Sequence, residues 1–392
     1  MSRAISLKYS IKKVVEYLLY SIVVFQETDT LEKLYTIDIG VNITPVDVLA
    51  AISISLLLVY FIQKKNSQGF KLDYYLAINF SFITILIGTI FSLFSLDEIS
   101  ITSYIRDAHY YIYIIIYSSF LLFSKDELTK ILENIIKIYA IYIVIFLVIY
   151  ILDKALVVEY SYRVSSRTDL LLIFLLFIID DVRLDGIRYK GLIKVLFLIK
   201  LSLSFSRGLF LILASMYLIR ILLRRNSEFK FFKELLVVLV LTIVSSLMFP
   251  DLSSFFIERF SELFSDDGFA LENTHSFQAK IADTLQMQEK TSLFGSGLGS
   301  TILIDKGWAG YVNALYSDSL LHTLFFKFGT IFGLVIVSWY AYLLVYNSKK
   351  IVFNSYSILA LSLFLINASM IYWRAAIMIL FIVFVMKTIN NK

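Results

Sequence analysis

The chain has 392 residues, of which 59% are hydrophobic and only 17% are charged. A single soluble core of this length cannot bury so much apolar side chain, so the composition predicts a membrane protein. Cysteine is absent, and His109, His275 and His322 are too far apart for a zinc site of known spacing, so we expect neither thiol chemistry nor a bound metal. The net charge of +5 does not indicate nucleic acid, because basic residues of a membrane protein first report its orientation.

Charged residues divide the chain into apolar segments, and a hydrocarbon core of about 30 Å takes roughly 20 helical residues to cross. The sequence predicts an all-α, polytopic membrane protein with about 12 transmembrane helices. The predicted spans are residues 13–27, 46–63, 74–95, 107–123, 133–152, 168–180, 191–205, 208–222, 232–249, 319–346, 351–369 and 373–388. The first span is short and contains Glu16, so a cleaved signal peptide is the alternative there, although no small-residue cleavage site follows Phe25.

Basic residues gather in alternate loops of this scheme, such as those that contain Lys64, Lys125 and Arg183. The positive-inside rule assigns these loops and both termini to the cytoplasm. The polar residues 250–316 then form an extracytoplasmic loop with short helices. It separates spans one to nine, within residues 1–249, from spans ten to twelve, within residues 317–392.

Residues 191–223 are almost continuously apolar, and one helix of that length would measure about 50 Å, too long for a single span. A helical hairpin that turns at residues 204–208 fits better, and it places Arg207 at the outer face, level with the polar segment. The alternative is one tilted helix. It would put Arg224 and Arg225 outside, against the positive-inside rule.

Charged residues inside or beside spans are costly and indicate function by default. Arg207 has planar donors that suit a phosphate at the membrane face, and the alternative is an arginine that reaches toward lipid head groups. Lys200 and Arg374 are weaker cases of the same kind. Arg259 follows span nine, where a local ion pair with a neighbouring glutamate is the alternative.

Residues 274–290 show the periodicity of an amphipathic helix, with Leu285 and Met287 on its apolar face and Lys280 elsewhere. Such a helix could rest on the membrane surface. His275 opens it, either as a proton carrier or as a solvated residue of the first turn.

A glycine-rich stretch follows at 294–301, but it lacks the Lys-Ser/Thr of a nucleotide-binding loop. The backbone amides around Gly295, Gly297 and Gly299 could cup an anion, and a plain flexible turn is the alternative.

Asp318 stands at the start of span ten as a helix cap or a catalytic base. His322 lies one turn further on the same face, so the two could form a hydrogen-bonded pair, with a satisfied buried histidine as the alternative. Phe328 and Gly329 indicate a kink or a close helix approach further into the span.

Four short motifs follow one another within residues 190–340. They are Ser-x-Ser-Arg-Gly at 204–208, an arginine at 259, Phe-Gly-x-Gly-x-Gly at 294–299, and Asp-Ser-Leu-Leu from 318 with a glycine at 329. In their order, spacing and side of the membrane they resemble the bacterial O-antigen polymerase and ligase superfamily. The span count agrees with that resemblance over the whole chain.

The resemblance implies a metal-independent glycosyltransferase of the GT-C type, without a cofactor, at the outer face of the bacterial inner membrane. It implies as partners an undecaprenyl-pyrophosphate-linked oligosaccharide, membrane lipids and a chain-length regulator protein. Arg207, Arg259 and Lys280 would contact the pyrophosphate, with Lys280 where relatives often carry arginine. Asp318 is the first candidate for the base, followed by His322 and His275.

The expected reaction is polymerisation of O-antigen or capsule repeat units. Ligases of the superfamily show a His-Asn pair where this chain has Asp318 and Ser319, so ligation is the less supported alternative. A flippase or transporter and a non-enzymatic assembly partner are alternatives from other classes. The sequence shows neither an internal repeat nor the broken helices common in transporters, which favours a rigid scaffold.

Overall fold

A computed structural model of the chain describes residues 2–25, 37–38, 42–64, 72–94, 99–155, 170–203, 212–216, 236, 240, 285–289, 291–305, 311–314, 320–347, 350–351, 355–366 and 373–390. These residues are almost entirely helical. The helices are α1 Ser2–Val24, α2 Pro45–Lys64, α3 Leu72–Leu93, α4 Ile101–Ile112, α5 Tyr117–Phe120, α6 Lys125–Ala155, α7 Leu170–Asp181, α8 Lys190–Leu203, α9 Leu320–Val345, α10 Ser355–Ile366 and α11 Trp373–Asn390.

Helices stand at most of the positions where the sequence predicts spans. The fourth predicted span, 107–123, corresponds to α4 and α5 joined by a 3₁₀ turn at Tyr113–Ile116. Of the eighth predicted span the structure describes 212–216, which are helical, and of the ninth it describes little. The predicted hairpin turn at 204–208 lies outside the described residues.

Three of the described helices are long and apolar enough to cross a membrane, over Pro45–Gln63 of α2, Lys125–Val148 of α6 and Leu320–Leu344 of α9. These helices carry large apolar side chains on their exposed surfaces, where water would be a poor solvent and lipid a good one. Such side chains include Ile52, Val59 and Ile62 of α2, Ile141, Val144 and Ile145 of α6, and Ile331, Leu334 and Val335 of α9. The chain is therefore a membrane protein.

Helix α7 is apolar on every side, and each residue from Leu170 to Ile179 is buried. A helix that is hydrophobic all round belongs in the interior of a protein rather than on its surface. Helix α11 is similar, since it is buried from Ala375 to Val383.

Three short antiparallel strand pairs add to the predicted all-α architecture. They are β1 Ile37–Asp38 with β2 Asn42–Ile43, β3 Ile302–Asp305 with β4 Tyr311–Ala314, and β5 Tyr346–Asn347 with β6 Lys350–Ile351. In the longest pair, Ile302 lies opposite Ala314 and Asp305 opposite Tyr311. The polar segment, predicted to hold short helices, thus contains a β-hairpin as well as helical residues at 285–289.

The chain packs as two compact units. The first comprises residues 1–18, 36–124 and 262–387, and the second comprises residues 19–35, 125–261 and 388–392. This division differs from the three consecutive stretches that hydropathy suggests, because residues on both sides of the polar segment pack together in the first unit.

Within the second unit, contacts along the helices fix their directions. Lys194 near the start of α8 pairs with Asp180 near the end of α7 at 2.7 Å, so these two helix ends lie together. Helices α6 and α8 run in parallel. The Glu133 carboxylate accepts from the Gly186 amide at one end, and the Lys200 ammonium lies over the Phe146 ring further along. This contact gives the buried Lys200 a cation–π partner.

In the first unit, helix α2 begins with a capping box. The Asp47 carboxylate accepts from the Thr44 amide at 2.8 Å and from its hydroxyl at 2.7 Å, and Pro45 occupies the first helical position. Arg374 of α11 donates to the Thr44 hydroxyl at 2.7 Å and to Asp47 at 3.2 Å. The Arg374 guanidinium is buried, so this network ties the starts of α2 and α11 together.

We predict that Asp47→Ala destabilises the protein, because it removes both the cap of α2 and the carboxylate partner of a buried guanidinium. Breaking a buried pair on one side costs about 3–5 kcal/mol, which corresponds to a fall of roughly 4–6 °C in the unfolding midpoint of a chain of this length. Thermal unfolding of the purified protein in detergent measures this. Asp185→Ala is the control, because its partner Arg183 is 90% exposed, and we expect no measurable change.

Candidate functional site

Most of the residues expected to carry the chemistry lie outside the described part of the chain, namely Arg207, Arg259, His275, Lys280 and Asp318. Of the remainder, His322 is described in the first turn of α9, where it is half-buried. The three glycines, 295, 297 and 299, are also described. They belong to a segment, residues 291–301, that we call the glycine loop.

Helix α9 is broken where the glycine loop meets it. Gly329 has φ 72° and ψ 172°, which is not a helical conformation and is one that only glycine adopts readily. The expected kink at Phe328 and Gly329 is therefore present. The structure corrects the expectation that broken helices are absent, because this break lies inside one of the candidate membrane spans.

The glycine loop forms hydrogen bonds with the backbone groups of α9 that the break leaves without helical partners. The amide of Ser296 donates to the Phe326 carbonyl and that of Gly297 donates to the Lys327 carbonyl, both at 2.9 Å. In return, the Thr330 amide donates to the Ser292 carbonyl at 3.2 Å. Non-helical backbone at membrane depth is tolerated only where its polar groups are satisfied, and here the loop satisfies them.

Each glycine of the loop faces a different helix and has a positive φ, between 71° and 86°. A Cβ on Gly295 would lie 2.3 Å from the Gly329 amide nitrogen of α9. One on Gly297 would lie 2.2 Å from the Ser92 amide nitrogen of α3, and one on Gly299 would lie 2.7 Å from the Tyr104 backbone of α4. The alternating glycines thus let one extended segment touch three helices at backbone distance.

Side chains of α3 and α4 complete the surface on which the glycine loop lies. We call this surface, formed by α3, α4 and α9, the seat of the loop. The Ser92 hydroxyl donates to the Leu298 carbonyl at 2.8 Å, and the Leu298 amide donates to the Gly88 carbonyl at 3.2 Å. The hydroxyls of Thr89 and Tyr104 lie 2.6 Å apart and join the two helices beneath it. Leu298 is fully buried, so the seat has an apolar centre.

These contacts correct the view that the loop amides are available to cup a ligand anion. Consecutive amides from 295 to 299 all donate within the protein: Gly295 to the Ser292 hydroxyl, the next three to backbone carbonyls and Gly299 to Asp107. The loop does bind an anion, but that anion is the carboxylate of Asp107. Residues 297–300 are buried, which also contradicts the alternative of a plain flexible turn.

Asp107 of α4 and Lys327 of α9 form a buried ion pair beside the glycine loop. Their side chains are 4% and 2% exposed, so neither charge has water to solvate it. The Lys327 ammonium donates to the Asp107 carboxylate and also to the Ser300 carbonyl at 3.3 Å. The same carboxylate accepts from the Gly299 amide at 2.6 Å. Two helices and the loop therefore meet at one neutralised pair.

The helical residues 285–289 that precede the loop agree only in part with the predicted amphipathic helix. Met287 is buried and forms a small apolar cluster with Ile302 of β3 and Phe326 of α9. Leu285, which was expected on the same face, is 51% exposed. The cluster anchors the residues on either side of the loop to α9.

Sequence reasoning missed the two central charges, Asp107 and Lys327. Both fall inside predicted spans, and a charge at such a position is a functional signal in its own right. Their pairing could not be inferred, because 220 residues separate them. Among the described residues, no three His, Asp or Glu side chains converge in a way that could hold a metal ion.

The fold and this seat define a helical membrane protein in which a long polar segment is anchored to the ends of α3, α4 and α9. Comparison with protein-family models, with curated proteins and with solved structures gives no significant match.

We predict that Gly329→Ala destabilises the protein strongly. A Cβ there would lie 2.1 Å from the Leu293 carbonyl oxygen, and a positive φ costs a residue with a side chain about 1–2 kcal/mol more. We expect a fall in the thermal unfolding midpoint and faster hydrogen exchange at residues 295–299. Gly191→Ala in α8 is the matched control, because its Cβ would meet nothing within 4 Å. That change should leave stability equal or slightly higher.

A double-mutant cycle tests the ion pair. Lys327→Met and Asp107→Asn should each destabilise the protein by about 3–5 kcal/mol, because each leaves a buried charge without its partner. The double variant should be less destabilised than the sum of the two, since no charge is then left buried. Thermal unfolding in detergent gives the comparison, and strictly additive effects would contradict the pairing.

Proposed function

We propose that the chain is a polysaccharide polymerase that acts on lipid-linked O-antigen or capsule repeat units at the outer face of the bacterial cytoplasmic membrane. In this reaction a growing glycan moves from undecaprenyl pyrophosphate onto the end of another lipid-linked repeat unit. Support comes from the order of the sequence motifs and from the seat of the glycine loop. Ligation to a lipopolysaccharide core remains an alternative within the same class.

The observation that carries the proposal is the anchoring of the polar segment. Gly88 and Ser92 lie in the last two turns of α3, Asp107 lies in the second turn of α4, and Lys327 lies in the second turn of α9. The glycine loop contacts all of these, so the part of the polar segment that leads back toward α9 is held at one end of the helices. A segment held in this way supports a site that must meet a substrate embedded in the membrane.

The chemistry we propose is a glycosyl transfer without a cofactor. A hydroxyl oxygen of the acceptor attacks the anomeric carbon of the donor, and the bond from that carbon to the pyrophosphate oxygen breaks. Arg207 and Arg259, with Lys280, would stabilise the charge that develops on the departing pyrophosphate. A base, with Asp318 first and His322 and His275 behind it, would take the proton of the attacking hydroxyl.

Asp107 and Lys327 act differently in this proposal. The Asp107 carboxylate already accepts from Lys327 and from the Gly299 amide, so it is engaged in holding the loop. His322 lies five residues before Lys327, about 7 Å nearer to the start of α9. We therefore assign Asp107 and Lys327 to positioning, and we keep the proton transfer for residues nearer the helix end.

The second candidate is a transporter or a flippase of lipid-linked sugars, and the break in α9 is the observation that favours it. Transporters coordinate ions and substrates with the carbonyls of broken helices. Here the freed carbonyls of Phe326 and Lys327 accept from the glycine loop instead. A break that is filled by the protein's own backbone supports an anchor better than a transport site.

We predict that Arg207→Ala and Arg259→Ala each abolish long glycan chains while single repeat units remain, because the departing pyrophosphate loses a charge partner. The measurement is the glycan ladder of a deletion strain that is complemented with each variant. Arg183→Ala is the matched control, since this arginine is exposed and its ion-pair partner within the described part of the chain is Asp185. It should give a normal ladder.

Other outcomes separate the candidates. Normal ladders from both arginine variants, at normal protein levels, would overturn the proposed pyrophosphate contacts. Accumulation of lipid-linked units on the inner leaflet after deletion would identify a flippase. Elongation of a lipid-linked repeat unit by the purified protein, without metal or partner, would exclude a purely scaffolding role.

A further inference from the structure

An open groove of about 510 Å³ runs between α6 and α8 in the second unit. One wall comes from α6 and the other from α8 and the turn that precedes it. Its basic lining residues are Lys137 of α6 and Arg188 of the turn, and its apolar ones include Ile141, Val144 and Leu192. In each wall the basic residue comes first in the sequence.

The surface of the groove is almost entirely apolar, and its two basic lining residues, Lys137 and Arg188, stand at the start of their respective walls. On α6, Lys137 comes first, and the wall from there to Ile145 is apolar over about 12 Å. On the other wall, Arg188 and Tyr189 come first and Leu192 to Leu196 follow. Because α6 and α8 run in parallel, the two cations lie at the same end of the groove.

Neither cation at this end is engaged by an acidic residue. Among the described residues, Lys137 and Arg188 have no ion-pair partner, and both are exposed. The nearby acids are used elsewhere: Glu133 accepts from the Gly186 amide and Asp180 pairs with Lys194. The Glu133 contact also orders the turn that carries Arg188.

The sequence assigns the charged end to the cytoplasmic side. The turn between α7 and α8 holds Arg183, Arg188 and Lys190, and the positive-inside rule places such a turn in the cytoplasm. Anionic phospholipids are concentrated there, and basic pockets between membrane helices bind their head groups. The groove thus offers two cations at head-group level and an apolar channel at the level of the acyl chains.

We propose that this groove binds one anionic phospholipid, with its phosphate between Lys137 and Arg188 and an acyl chain along Ile141, Val144 and Leu192. The Tyr189 ring, which is exposed at the rim, lies at the interface between head group and acyl chains, where aromatic rings are favoured. This site is separate from the proposed transfer reaction and stands without it.

Native mass spectrometry of the purified full-length protein in detergent tests the proposal. The probes are phosphatidylglycerol and phosphatidylcholine with identical acyl chains. We expect phosphatidylglycerol to be retained preferentially, and the Lys137→Gln/Arg188→Gln variant to lose that preference by roughly 5- to 30-fold. The matched control is Lys130→Gln/Arg183→Gln, which removes the same charge from exposed positions outside the groove and should retain the preference.

Two further arms identify the occupant. Val144→Trp should fill the apolar part of the groove and reduce the retention of both lipids, whereas an excess of inorganic phosphate should not displace phosphatidylglycerol. Equal retention of the two lipids by the unaltered protein would overturn the proposal. So would equal losses in the two double variants, unchanged retention in Val144→Trp, or displacement by phosphate.

Discussion

The break in α9 sets the constraint on which the seat of the polar segment depends. Backbone amides and carbonyls inside a bilayer need partners, and each one left unsatisfied costs several kcal/mol. The carbonyls of Phe326 and Lys327 and the amide of Thr330 find theirs in the glycine loop. The loop and the broken helix therefore require each other. The positive φ of Gly329 and the buried position of residues 297–300 occur at the two sides of this contact.

The ion pair follows from the same geometry. Burying Asp107 and Lys327 is costly, and their mutual attraction offsets that cost only if further hydrogen bonds satisfy the remaining donors and acceptors. The loop supplies these bonds through the Gly299 amide and the Ser300 carbonyl. A loop with ordinary side chains at 295, 297 and 299 could not approach closely enough to do so. The glycines are thus required because they let the loop backbone approach the helices closely, and not because they make the loop flexible.

The sequence predicted the helices well, because apolar runs of span length leave few other structures in a bilayer. It also predicted the kink at Gly329, since a glycine inside an apolar span favours a bend or a close approach of backbone. It did not predict how the glycine amides are used. Their acceptors, such as Gly88 and Asp107, lie about 200 residues away, and no local pattern encodes such a pairing. The strand pair of 302–305 with 311–314 was missed for a different reason, because each strand has only four residues and no regular alternation of polar and apolar side chains.

Asp107 is a poor candidate for the base of the proposed reaction, because its carboxylate is already hydrogen-bonded within the protein. Its carboxylate accepts from an ammonium and from an amide, and both donors are buried with it. A base in glycosyl transfer must instead reach the hydroxyl of a substrate that arrives from outside the protein. His322 is only half-buried and lies in the first turn of α9, above the ion pair. The ion pair, the glycine loop and the break therefore hold α9 in place around Lys327 and Gly329. The base of the proposed reaction then belongs nearer to the start of α9, where His322 lies and which Asp318 precedes in the sequence.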